Sequence, residues 1–179
     1  MQRARGGERD AFEALVGRHA DRLYGVVMRF CGDPHEAQEV TQETFLRAWR
    51  SLHGFEGRCQ FSTWLYRIGI NEANRRYDRR RPHATTRPLD DAAVEIPDWR
   101  DAPASRAERR DLERALEHAI AELPPDHRLP LILRDIEGLS TSDAAEVMDL
   151  GEAAFKRRLH RARMTVREAV AAFVPGDDR

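Results

Sequence analysis

Arginine dominates the chemistry open to this sequence. Lys156 is the only lysine among 30 basic residues, so almost every cation is a forked guanidinium suited to phosphates and to guanine edges. These cations cluster. Arg67, Arg75, Arg76, Arg79, Arg80 and Arg81 meet only Glu72 and Asp78 in their stretch. A second run holds Lys156, Arg157, Arg158, Arg161, Arg163 and Arg167 with no acid among them. Between the two, the segment from Asp90 to Asp101 sets Asp90, Asp91, Glu95, Asp98 and Asp101 against Arg100 alone. The net charge of −1 conceals this division, which suits two contacts on one polyanion joined by an acidic connector. Arginine-rich solvated helix faces would give the same composition, so charge alone leaves both readings open.

Catalysis finds little support. Enzyme chemistry wants convergent acids or a His/Asp metal set, and the seven histidines are scattered at positions 19, 35, 53, 83, 118, 127 and 160. Cys31 and Cys59 stand alone, with none of the spacing that holds zinc. No catalytic residue, metal or cofactor is expected. No apolar run approaches the ~20 residues of a membrane helix, and Met1 to Asp10 lacks the apolar core of a secretory signal. The expected location is cytoplasmic.

The elements that must carry these cations are helices. Phe12, Leu15, Val16, His19, Leu23, Val27 and Met28 step by threes and fours, an apolar stripe on a long first helix ended by Gly32. Asp33-Pro34-His35-Glu36 restarts the chain as a cap followed by a first-position proline. That second helix reaches Ser51 and buries Val40, Phe45, Ala48 and Trp49. Ser62 or Thr63 caps a third helix, with Trp64 turned to the core, that ends at Arg81-Pro82. Prolines and acids from Pro82 to Pro103 predict an extended connector. Leu112 to Leu123 and Leu129 to Ile136 supply two more helices. Ser140-Thr141-Ser142-Asp143 then opens a short helix, Asp149-Leu150-Gly151 turns, and a last helix starts near Glu152. Ala144, Ala145, Val147, Leu150, Phe155 and Leu159 make the shared seam of a helix-turn-helix. Lys156, Arg157, His160, Arg161 and Met164 are left outward, as a major-groove helix requires. The expectation is all-α, two small helical domains joined by a flexible linker, the second with a helix-turn-helix: 8–82, linker 83–105, and 106–174.

Two sets of residues carry a resemblance. Leu123-Pro124-Pro125, Ile132-Leu133-Arg134, Glu137-Gly138-Leu139-Ser140 and the Arg158 to Arg163 run resemble region four of extracytoplasmic-function sigma factors of bacterial RNA polymerase. Gly32 to Ala37, Gln42 to Trp49, Phe55 to Arg58 and Phe61 to Ile68 resemble region two. Both stand in the family order over nearly the whole chain. The resemblance implies a factor that binds core polymerase and directs promoter recognition, strand opening and initiation. Its implied partners are the β′ clamp helices, the β flap, promoter DNA and an anti-sigma factor. Glu36, Glu39, Gln42 and Glu43 would face the clamp helices. Phe61 and Asn71 match positions lining the pocket for an extruded minus-ten base, with Arg67, Arg75, Arg76, Arg79 and Arg80 holding the backbone. Lys156, Arg157, His160, Arg161, Arg163 and Arg167 would meet the minus-thirty-five element.

Departures from the family pattern bear on specificity rather than fold. Asp149 replaces a usual glycine, Ala154 a small hydroxyl residue and Arg157 a frequent serine, while Gln38 and Glu39 replace common acids. A stand-alone helix-turn-helix regulator would account for Ser140 to Arg163. It gives no reason for the Phe55 to Arg81 pattern.

Overall fold

The computed structural model describes residues 1–80 and 106–171, without the side chains of Arg80 and residues 106–108. The expected linker at 83–105 lies outside the described residues. Those described contain helices and no strand: α1 (Gln2–Arg5), α2 (Arg9–Cys31), α3 (Pro34–Ser51), α4 (Phe61–Arg80), α5 (Arg106–Glu122), α6 (Pro125–Leu131), α7 (Thr141–Val147) and α8 (Glu152–Val170).

The N-terminal unit is a three-helix cluster. Gly32, at φ 73°, ends α2 with its N–H on the Met28 carbonyl, the left-handed stop that glycine takes without a Cβ penalty. One residue on, the Asp33 carboxylate accepts from the Glu36 N–H at 2.7 Å and Pro34 opens α3. Phe12, Leu15, Leu23, Val26, Val27 and Phe30 of α2 bury against Ala37, Val40, Phe45 and Ala48 of α3 and Leu65, Ile70 and Ala73 of α4. Gly69 lets α4 close in: a Cβ there would stand 3.0 Å from the Leu23 side chain. Two expectations change. His19 and Val16 are only half-buried, and Trp49 is 37% exposed.

In the C-terminal unit the helix expected at Leu129–Ile136 begins earlier and changes pitch. Pro125 takes the first position of α6, where its missing N–H costs nothing. Pro130 then sits inside the helix and the chain widens into a π turn at Ile132–Ile136, closed by Glu137 N–H on the Ile132 carbonyl at 2.9 Å. Removing a backbone donor disturbs the four-residue ladder, and a π turn is one way to resume bonding. Ser140 caps α7, its hydroxyl oxygen accepting from Asp143 N–H at 3.0 Å. Phe155, fully buried, anchors α8 beneath α7 with Leu159, Ala162 and Val166. The turn between them places Asp149 at φ 54°, a left-handed conformation that aspartate tolerates better than most side chains.

Candidate functional site

Three surfaces hold the residues singled out by the sequence. The first is the outer face of α3. Gln38, Glu39, Gln42, Leu46, Trp49 and Arg50 are exposed along it, and Glu39, Gln42, Leu46 and Trp49 follow steps of three and four on one side. Glu36 does not belong to this face. It is buried at 6% in the first turn, because the cap that orders its N–H turns it inward. Glu43 is half-buried, and the guanidinium of Arg47 donates to it at 2.7 Å, holding its carboxyl below the usual range. The residues missed by periodicity are Leu46, 51% exposed, and Trp49. Hydrophobic steps of three and four cannot say which apolar side chain falls at the edge of a buried stripe.

Behind that face a carboxylate knot ties α3 to α4. Glu72, 4% exposed, receives Arg76 Nε at 3.2 Å and lies 3.0 Å from Arg47 Nη2 and 3.7 Å from Arg75 Nη1. The 3.0 Å approach of Arg47 is an ion pair without hydrogen-bond alignment, since that oxygen has no hydrogen-bond partner. Arg76 also donates to Glu39, which raises its own pKa. Arg76, expected on the DNA backbone, is therefore chiefly a strut between two helices.

The second surface is α4. Arg67, Asn71, Asn74, Arg75 and Arg79 are exposed on it, while the side chain of Arg80 lies outside the described residues. Phe61 lies inward of this face. Its ring is 8% exposed and packs between His19 (centroids 5.2 Å apart), Trp64 (5.7 Å) and Phe55 (6.1 Å). Ten residues of helix, about 15 Å of rise, also separate Phe61 from Asn71, so one base cannot touch both through short contacts. Aromatic type gave the expectation; burial, which type does not encode, gives the ring a place in the core. Burial and the charges of Arg18 and Arg22 push the His19 pKa down, so this ring prefers to be neutral.

The third surface is α8. Lys156, Arg157 and Arg167 are exposed, and His160, Arg161 and Met164 half-exposed. Lys156 makes an exposed ion pair with Glu152 at 3.4 Å. Arg163 differs. It grips Asp135 with two hydrogen bonds, 2.8 and 2.5 Å, so that its pKa rises and it pins α8 to the π turn. Arg158 similarly faces Asp126 at 3.4 Å.

The three surfaces can bind two kinds of thing: α3 offers carboxylates, an amide and two apolar side chains to a protein; α4 and α8 offer guanidinia and amides to a polyanion. Residues 15–83 match the family described as Sigma-70 region 2, and residues 113–166 match Sigma-70, region 4. The RNA polymerase sigma-H factor of Pseudomonas aeruginosa is 35% identical over 95% of this chain and 91% of that protein. The ECF RNA polymerase sigma-E factor of Haemophilus influenzae is 32% identical over 95% of this chain and 93% of its own. The chain belongs to the extracytoplasmic-function group of sigma-70 factors. Among solved structures, CnrH in complex with the cytosolic domain of CnrY has a TM-score of 0.69 at 27% identity, covering 96% of this chain and 94% of that one. The sigma factor RpoE of Bartonella quintana, solved with the anti-sigma factor NepR, has a TM-score of 0.66 at 21% identity, covering 94% and 99%. This sigma factor is accordingly an alternative RNA polymerase sigma factor rather than an enzyme, its work being transcription initiation. No helix among the described residues is long and apolar enough to cross a membrane.

Proposed function

We propose that residues 8–82 hold core polymerase and the minus-ten element, residues 106–174 hold the minus-thirty-five element, and residues 83–105 link them. On this reading α3 seats on the β′ clamp helices, the β flap meets the C-terminal domain, and an anti-sigma factor competes for these surfaces. The observation that carries the assignment is the outward stripe of α3. Its two large apolar side chains, Leu46 and Trp49, lie in line with Glu39 and Gln42 on a stable helix, and an apolar centre with a polar rim fits a protein partner. Asn71, Arg67, Arg75 and Arg79 offer amide and charge to the opened strand, with Arg80 next in sequence. Lys156, Arg157, His160, Arg161 and Arg167 offer a groove-reading face. That CnrH was solved with the cytosolic domain of CnrY supports a protein partner for this chain as well.

The test is co-purification with core polymerase followed by run-off transcription on promoter DNA from the chain's own operon. Gln42→Arg/Leu46→Arg changes the stripe without touching the Glu72 knot. It should abolish co-purification and transcription while helical content stays unchanged. Undiminished binding of core by this variant rejects the assignment of the α3 face.

A further inference from the structure

The recognition helix is held by more than its apolar seam. Phe155, Leu159, Ala162 and Val166 bury one stripe of α8, and at about 100° per residue the four centre on a single line along it. Apolar burial is non-directional, so the stripe decides which face turns inward and leaves some rotation about the helix axis. Two arginines flank that line. Arg158 falls about 70° to one side of it and Arg163 about 70° to the other, and each meets a carboxylate. Arg158 Nη1 lies 3.4 Å from Asp126, in the first turn of α6. Arg163 donates to both oxygens of Asp135, in the π turn, at 2.8 and 2.5 Å. Partly exposed ion pairs contribute little stability, but a two-pronged arginine–carboxylate pair fixes direction as well as distance. The two pairs act on α8 as opposed stays.

The π turn lets one segment supply both. Asp135 follows Asp126 by nine residues, and nine steps of about 100° would put them on opposite faces of an unbroken α-helix. The wider turn at Ile132–Ile136, closed by Glu137 N–H on the Ile132 carbonyl, advances less per residue and carries Asp135 back toward α8. Turns of this pitch sit frequently at functional sites.

Arg157 stands directly opposite the buried stripe, with Arg161 one turn further on. At the about 5–6 Å radius of side-chain tips, a rotation of about 30° moves a tip by about 3 Å, nearly the ~3.4 Å step from one base pair to the next. Rotation of α8 therefore decides which base pair an arginine on this face meets. We infer that Asp126 and Asp135 are positioning residues for promoter reading, which act through Arg158 and Arg163 to set the rotation of α8 and hence the bases that Arg157 and Arg161 select. The inference rests on the minus-thirty-five contacts proposed above. It gives two acids a part in specificity although their arginines lie on the inward half of the helix.

Selection of promoter variants by transcription tests this. Holoenzyme assembled from the full chain and core polymerase transcribes a pool of the chain's own operon promoter, randomised across minus thirty-five and tagged within the transcript. Sequencing then gives the preference for each base as a ratio between templates, which does not fall merely because less of a variant is folded. Asp126→Asn/Asp135→Asn keeps both side-chain shapes and removes both charges. Its preference at one or two base pairs should fall at least about fivefold, the lower end of what one bidentate arginine–guanine contact is worth. Asp126→Glu/Asp135→Glu keeps the charge-assisted bonds and should stay within about twofold of wild type. Equal loss of preference in the two variants overturns the inference. So does a complete absence of transcript from the asparagine variant, which would make the stays necessary for folding alone. A wild-type chain with no preference at minus thirty-five sinks the promoter reading, and the inference with it. A wild-type preference that the asparagine variant leaves unchanged sinks the inference only.

Discussion

Phe61→Ala distinguishes a core residue from a base-reading one. The ring is 8% exposed and lies between His19, Phe55 and Trp64 with centroid separations of 5.2 to 6.1 Å. Its removal deletes an aromatic from a cluster whose other members are held by three separate segments, α2, the loop after α3 and α4, so collapse into the gap is incomplete. Truncations of this kind cost about 3–5 kcal/mol. Loss of base stacking alone would cost about 1–3 kcal/mol in DNA binding and nothing in stability. For a chain of this size each kcal/mol moves the melting temperature by roughly 2–4 °C, so Phe61→Ala should melt about 6–20 °C below the wild type. Thermal unfolding followed by circular dichroism measures this. Transcription below the melting range is then compared on closed and pre-opened templates, and a core role predicts no selective rescue by pre-opening. A variant that melts within 2 °C of wild type (within about 1 kcal/mol) and is rescued only on the pre-opened template would refute the burial argument and restore Phe61 to the base pocket.

Other perturbations test other parts of the same picture. Glu72→Gln leaves Arg47 and Arg76 facing each other without their shared carboxylate; removing one member of a buried pair costs about 3–5 kcal/mol, and about 2–3 is expected here because both arginines can turn partly to water. Urea unfolding reads it, and a loss under 0.5 kcal/mol, about the scatter of surface substitutions, would reject the knot. In the recognition helix, Arg161→Ala should cost about 1–3 kcal/mol on the cognate site and relax one base position, whereas Arg167→Ala should weaken all sequences alike and lower the salt slope by about one. Selection of promoter variants distinguishes the two, and intact base preference in Arg161→Ala would contradict the helix placement. The lowered pKa values of His19 and His127 carry a definite sign. The unfolded chain takes up protons near pH ~6.5 while the folded rings resist them, so stability is full above that pH and falls as the solution is acidified toward the folded-state pKa values. Melting temperatures between pH 7.5 and 5.5 should fall less steeply in His19→Gln/His127→Gln; an unchanged slope would show that other groups govern this window, taken around the ordinary histidine pKa.

Much of the fold was legible because its signals are local. The Gly32-Asp33-Pro34 junction, the Ser140 cap and the Asp149 turn each follow from the conformational preferences of one or two residues, and each is present. The π turn was not legible: Pro130 announces a disturbance, but how the ladder recovers depends on what Ile132 and Leu133 bury against. The site was legible at the level of surfaces and less so at the level of residues. A basic run shows that a helix meets a polyanion. It does not show that Arg76 turns back to Glu39, or Arg163 to Asp135, since those acids lie 37 and 28 residues away. Glu36 and Phe61 went astray for the same reason. Their types suit a surface role, while their neighbours in space enclose them.

The charge balance of the chain takes on a different meaning once these pairs are known. Almost equal numbers of acids and bases, 31 and 30, could describe a protein with no preference for nucleic acid. In the fold, acids are spent selectively. Glu72, Asp135 and Glu137 are bound to arginines that brace one helix against another, and Glu137 and Glu146 bind cations across the two regions. Lys156, Arg167 and Arg79 stay toward solvent on the faces proposed for DNA. The acids bound to these arginines therefore act as internal counter-ions, and the cations left toward solvent keep an affinity for phosphate that the net charge conceals.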